Sequence, residues 1–254
     1  MFTQVKTESE IQAMRESARI LADILDELEQ TVDVGMNLLE IDEFARKEAK
    51  AKGAETPFLN YGSPPFPGAI CLSVNDEVEH GTPRDLELQD GDNLSMDFGI
   101  LYKGMISDSG RTVAIGDVSP KVRKLMETTE RALYAGIDAV KDGVKVGDIS
   151  AAVEKVLKKG GYGIIRDLVG HGVGHELHED PNIPNYGKAG KGPMLKAGMT
   201  ICIEPMASLG DWRIAFDEDQ WTIRMLDGSI AAHYEHTLLI TDTGAEILTL
   251  SNLS

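Results

Sequence analysis

The order helix, helix, strands occurs twice along this chain, and that repeat restricts its fold more than any other feature. From Ile11 the apolar residues fall at Ile11, Met14, Ala18, Leu21, Leu25 and Leu28. Steps of three and four place them on one helix face, behind a capping box of Thr7 and Glu10. A second stripe (Leu38, Ile41, Phe44, Ala45, Ala49) runs to Lys52 and stops at Gly53. The pattern returns after Ser119-Pro120, an N-cap with proline at the first helical position. Val122, Met126, Thr129, Leu133, Ile137 and Val140 stripe one helix, and Ile149, Ala152, Val153, Val156 and Leu157 the next, closed by Gly160-Gly161. Each helix pair is followed by strand-like segments.

The repeat extends to chemically capable residues. His80-Gly81-Thr82-Pro83 has a counterpart in His178-Glu179-Asp180-Pro181. Asp97 pairs with Glu204 across 107 positions, and Asp108 with Glu235 across 127. The larger offset predicts an insertion in the second half, a hairpin around Trp212 to Asp227, because connections tolerate insertions better than core strands. The expectation is an α+β fold of one domain over residues 1–254. Its halves, roughly 1–116 and 117–254, are related by a pseudo-twofold axis with no linker between them.

Leu94, Met96, Phe98 and Ile100 alternate with Ser95, Asp97 and Gly99, the period of a half-buried strand with Asp97 opposite the apolar row. Glu204, at the end of Thr200-Ile201-Cys202-Ile203-Glu204, and Glu235, within 232–240, also read as strand residues. Taken singly, each acid could face solvent on a half-exposed sheet. Four acids in repeat-related places argue for a shared cation, since isolated buried carboxylates are costly. Two divalent cations neutralise four carboxylates, and paired metals are a standard device for activating water.

Among the six histidines, the run from Gly170 to Glu179 stands apart, its glycines at 170, 172 and 174 allowing tight turns that bring imidazoles to a metal. His175-Glu176-Leu177-His178 has the wrong spacing for a helical H-E-x-x-H zinc signature. Gly160-Gly161-Tyr162-Gly163 lacks the lysine of a phosphate loop and reads as a helix stop. Ser63-Pro64-Pro65-Phe66-Pro67 could act as a polyproline ligand, but reads better as a stiff loop lining a pocket, because Phe66 would be costly to expose.

Composition removes several classes. A formal net charge of −17 repels phosphate and argues against nucleic acid. Met1-Phe2-Thr3-Gln4 begins no leader, no run is long enough to cross a bilayer, and two distant cysteines, Cys71 and Cys202, suit a reducing compartment. The expected location is the cytoplasm, where the glycosylation triplet Asn93-Leu94-Ser95 meets no modifying enzyme.

Taken together, Ser73-Val74-Asn75-Asp76-Glu77-Val78-Glu79-His80-Gly81, the Asp97 and Asp108 segments, Gly170-His171-Gly172-Val173-Gly174, Ile203-Glu204-Pro205-Met206 and Tyr234-Glu235-His236-Thr237 resemble the type I methionine aminopeptidases over nearly the whole chain. The resemblance implies the pita-bread fold, with two metals bound by Asp97, Asp108, His171, Glu204 and Glu235, of which Asp108 and Glu235 bridge. It implies that Glu204 handles the proton of the attacking water, that His178 steadies the developing oxyanion and that His80 contacts the substrate's amide nitrogen. Phe66, Cys71, Leu177 and Trp221 take the family's pocket positions for the methionine side chain. Ser63 and Leu177 stand where many relatives carry an aromatic residue, which implies a roomier pocket.

The same resemblance implies removal of initiator methionine from nascent chains with a small second residue, a monomer in transient contact with the ribosome, and neither membrane nor nucleic acid as partner. The chain is expected to start at the catalytic fold, without the zinc-binding or SH3-ligand extensions of some relatives. The donor set accepts cobalt, manganese, iron or zinc. A proline-specific peptidase of the same fold is the nearest alternative, disfavoured by the context of Glu235. A non-catalytic relative that binds protein or RNA is the other, disfavoured because every ligand position is filled.

Overall fold

A computed structural model describes residues 5–251; the stretch Met1 to Gln4 read above for a leader lies outside them. The first half contains α1 (Glu8–Thr31), α2 (Leu38–Ala51), β1 (Ile70–Val74), β2 (Glu77–Glu79), β3 (Asn93–Tyr102) and β4 (Met105–Ala114). The second contains α3 (Pro120–Asp138), α4 (Val146–Gly160), β5 (Gly163–Ile164), β6 (Gly170–Gly172), β7 (Glu179–Ile183), β8 (Thr200–Ile203), β9 (Met206–Ser208), β10 (Ile214–Phe216), β11 (Ile223–Met225), β12 (Ala231–His233), β13 (His236–Ile240) and β14 (Ala245–Ile247).

The four helices fall where the sequence places them, except that α3 stops at Asp138, so Val140, read as the last residue of its stripe, packs into the core from the loop beyond the helix. Thr7 and Glu10 form the reciprocal capping box of α1, and Asn37 and Glu40 form a second one on α2. Ser119 caps α3 ahead of Pro120, and Gly161 ends α4 at φ 79°, a left-handed conformation that suits glycine. The apolar stripes of α1 and α2 bury Leu21, Leu25 and Ile41 against Leu72, Met96 and Phe98. The second pair buries Leu133, Ile149 and Val153 against Ile201, Ile203 and Leu238. Two helix-backed cores thus meet with their sheets between them.

All strand pairing is antiparallel, in the orders β1-β3-β4, β10-β11-β2, β12-β9-β5 and β14-β13-β8-β6-β7. The expected insertion is the β10-β11 hairpin, whose second strand pairs with β2 of the other half.

Two expectations about the strands are corrected. Residues 93–100 of β3 are buried on both faces, because the side opposite the helices is covered by the other half of the molecule. Glu204 lies just beyond β8, and Glu235 sits in the break between β12 and β13. At that break the Glu235 backbone leaves its own half and pairs with Gly110 of β4. No helix among the described residues is long and apolar enough to cross a membrane.

Candidate metal centre and substrate cavity

The register of the β3-β4 hairpin sets Asp97 opposite Gly110 and Asp108 opposite Gly99. Thr237 of β13 fixes Asp108 from across the interface: its hydroxyl donates to the Asp108 carbonyl at 2.6 Å and accepts from the Asp108 amide at 3.0 Å. Ser109 Oγ donates to the Glu235 carbonyl at 2.7 Å. The Glu204 carbonyl accepts from Asn185 Nδ2 at 2.9 Å. Each acid is therefore held by its backbone, leaving the carboxylate to face the others.

Asp97, Asp108 and Glu235 present oxygens within 4.8 Å of one another, all buried. Asp97 Oδ1, Asp108 Oδ1 and Glu235 Oε1 have no hydrogen-bond partner. Burial pushes Asp108, Glu204 and Glu235 well above the ordinary carboxylate range and Asp97 up to about 6. Unpartnered, mutually repelling carboxylates in a buried site are the arrangement a divalent cation resolves.

His171 completes the set. Its Nδ1 lies 2.8 Å from the Gly172 carbonyl, to which it donates, so that Nε2 offers a lone pair. That nitrogen stands 3.6 Å from Glu204 Oε1 and 4.0 Å from Asp108 Oδ2. Burial holds its pKa down at about 3, favouring the uncharged ligand form. The glycines around it act differently from the expectation. Gly170 and Gly172 lie in β6 without a left-handed φ, and they are small because the Cys202 and Asp180 carbonyls leave no room for a Cβ. Only Gly174 has a positive φ among the three, at 143°.

Beside the carboxylates is a cavity of about 130 Å³. Phe66, Cys71, Leu177 and Trp221 line it together with His80, His178 and the five residues just described. Phe66 and Trp221 meet edge to face at 5.3 Å, and Trp221 Nε1 donates to the Pro64 carbonyl at 3.0 Å. The proline-rich loop thus forms one wall. Ser63 is not among the lining residues; Tyr61 is, and its Oη is hydrogen-bonded to His178 Nδ1 at 3.0 Å. A larger hollow of about 410 Å³ lies behind β4, lined by Arg111, Glu130 and Tyr134, and shares only Glu235 with the cavity.

Several neighbours escaped sequence reasoning. Glu79 and His233 reach the carboxylate cluster, although Glu79 immediately precedes His80 and His233 lies two residues before Glu235. Cys202 lies within metal-ligand reach of His171 and Glu235. Lys6 passes behind the His178 loop and pairs with Glu179 at 2.7 Å, their side chains 0% and 7% exposed. Glu179 Oε1 in turn accepts from the His175 and Glu176 amides at 2.6 and 3.2 Å. No periodicity marks Lys6, which falls just outside α1.

Residues 12–242 match the model of metallopeptidase family M24. The chain is 40% identical over 247 residues to a methionine aminopeptidase of Clostridium acetobutylicum, covering 97% of this chain and 98% of that protein. It resembles the crystal structure of a methionine aminopeptidase from Thermotoga maritima with a TM-score of 0.95 and 40% identity, covering 98% of this chain and all of that one. A prolidase from Pyrococcus furiosus is more distant, with a TM-score of 0.77 and 26% identity, and the match covers 65% of its length.

Proposed function

The chain belongs to metallopeptidase family M24, and from that premise we propose that it is a methionine aminopeptidase with the pita-bread fold, a hydrolase that uses divalent metal to release N-terminal methionine. The observation that carries the reading is the convergence of Asp97, Asp108, His171, Glu204 and Glu235 on a cavity that also presents His80 and His178 beside the apolar and soft side chains of Phe66, Cys71, Leu177 and Trp221.

We assign those five residues to two metal ions, with Asp108 and Glu235 shared between them. The unpartnered oxygens of Asp97, Asp108 and Glu235 and the free Nε2 of His171 support the fit. Four carboxylates balance two divalent charges, and the oxygen-rich set with one imidazole accepts manganese, iron, cobalt or zinc. When bound, the ions polarise the scissile carbonyl and make water a competent nucleophile near neutral pH.

The protein's own groups do the rest. Glu204, raised by burial, takes the proton of the attacking water and passes it to the departing amine. His178 acts through an Nε2 proton that it donates to the carbonyl oxygen as negative charge develops there, a tautomer in which Nδ1 accepts from the Tyr61 hydroxyl 3.0 Å away. His80, uncharged because burial lowers it to about 4, contacts the substrate amide nitrogen. Phe66, Cys71, Leu177 and Trp221 receive the methionine side chain, whose sulfur suits aromatic and thiol neighbours.

The proposal extends to one catalytic domain over residues 1–254, acting as a monomer in the cytoplasm on nascent chains with a small second residue, in transient contact with the ribosome. Purified protein supplied with manganese should release methionine from Met-Ala-Ser, and a chelator or Asp97→Ala should abolish release. Full activity in Asp97→Ala would remove that residue from the metal set.

A further inference from the structure

We propose that Glu79, His233 and Glu204 form a third divalent-cation site beside the dinuclear pair, suited to a transition-metal ion that takes nitrogen and oxygen donors. The proposal rests on the assignment of Glu204 to the dinuclear set and adds two residues that this set does not use.

Glu79 ends β2, His233 ends β12 and Glu204 follows β8, so three separate sheets deliver the donors. All three residues are buried, with exposures of 4%, 1% and 8%. One donor atom from each lies within 4.8 Å of the other two. His233 Nδ1 stands 3.5 Å from Glu79 Oε1, and His233 Nε2 stands 4.0 Å from Glu204 Oε2. Neither contact is a hydrogen bond, and Glu79 Oε2 and both ring nitrogens of His233 have no hydrogen-bond partner.

The two contacts use different ring nitrogens, and one ion takes only one of them; the common donor set is one His233 nitrogen with one oxygen each of Glu79 and Glu204, all within 4.8 Å, against the roughly 3–4 Å expected between donors that share an ion at about 2.0–2.2 Å. The same spacing holds at the dinuclear set, where His171 Nε2 lies 3.6 Å from Glu204 Oε1 and 4.0 Å from Asp108 Oδ2. Glu204 turns one oxygen to each imidazole, Oε1 to His171 and Oε2 to His233, as a carboxylate shared between two cations does. The His233 ring is held in place by Gly110, where a Cβ would lie 2.5 Å from its Cε1.

Charge points the same way. Glu79 is a fifth buried carboxylate where two divalent ions offset four. Arg84 pairs with Glu77 and Arg224 with Asp76, Glu77 and Asp217, while the one ion-pair contact of Glu79 among the described residues is with His233. A further cation supplies the missing positive charge and gives the His233 imidazole a partner.

Metal counting tests this. Chelated protein is brought to equilibrium by dialysis against excess Co²⁺ and the bound cobalt is measured by elemental analysis, with circular dichroism to confirm folding. Wild type should hold three ions per chain, and Glu79→Gln and His233→Gln, made separately, should each hold two. Two ions in the wild type, or three retained in Glu79→Gln, would overturn the third site. Two throughout is also the result expected if Glu79 is simply protonated and hydrogen-bonded to Asp97. The dinuclear assignment fails separately, if Asp108→Ala binds as much cobalt as wild type.

Discussion

Gly110 and Glu235 exchange backbone hydrogen bonds across the two halves, the Glu235 amide donating to the Gly110 carbonyl at 2.7 Å and the Gly110 amide to the Glu235 carbonyl at 3.4 Å. This pairing interrupts β12-β13 and sets Glu235 against Asp97 and Asp108. It depends on a small residue at 110, because a Cβ there would collide with His233. Gly110→Ala is expected to cost about 1–3 kcal/mol by overpacking and to weaken metal binding. Urea unfolding together with a metal count checks both effects; an unchanged midpoint would remove the close approach from the account.

The buried Lys6–Glu179 pair fixes the loop that carries Leu177 and His178. Lys6→Met strands a buried carboxylate, for which a loss of about 3–5 kcal/mol is expected. Beyond stability, kcat should fall more than KM changes, since His178 acts on the developing oxyanion, and Lys6→Arg should recover part of the rate. Steady-state kinetics well below the melting temperature separate this positioning role from unfolding.

Tyr61→Phe removes the hydroxyl 3.0 Å from His178 Nδ1 and leaves the ring in the cavity wall. A hydrogen bond of this kind contributes about 1–1.5 kcal/mol, so kcat should drop about tenfold with little change in KM. An unchanged kcat would mean that the tautomer of His178 is set elsewhere.

The metal-free protein should lose stability as pH rises above about 6.5, towards the raised folded-state values of its buried carboxylates. Burial holds Asp108, Glu204 and Glu235 well above the carboxylate range, so the folded chain keeps protons that the unfolded chain, at ordinary values near 4, has already released. Where the folded state binds more protons, stability falls with pH, by up to ~1.4 kcal/mol per pH unit for each proton retained. Buried His80, His171, His233 and His236, all lowered by burial, act in the opposite sense, but only below their unfolded value of about 6.5. Saturating metal replaces the protons and should remove most of the slope. Thermal melts with and without chelator give the comparison; a chelated protein whose melting temperature rises over this range contradicts the account.

Much of this arrangement is legible in the sequence because it is local or repeated. Helix stripes and caps are decided within a few residues, and the duplicated acids by themselves point to a cluster. The family resemblance supplied His171, His80, His178 and the pocket residues, all of which line the same cavity. What the sequence hid depends on crossings between the halves. The break at Glu235 follows from its pairing with Gly110, and the burial of both faces of β3 from the second half lying over the first. Gly170 and Gly172 look like turn residues in sequence, yet their need is for close approach to Cys202 and Asp180. Lys6 and Glu179, 173 residues apart, carry no pattern linking them.

The most direct test of the central claim compares two substrates on one preparation of metal-loaded protein: Met-Ala-Ser and an Ala-Pro-Ala peptide, by kcat/KM, before and after chelation. The account predicts release of methionine from the first, lost on chelation and restored by added metal, with the second left intact. Cleavage of the Xaa-Pro bond with Met-Ala-Ser untouched would contradict it.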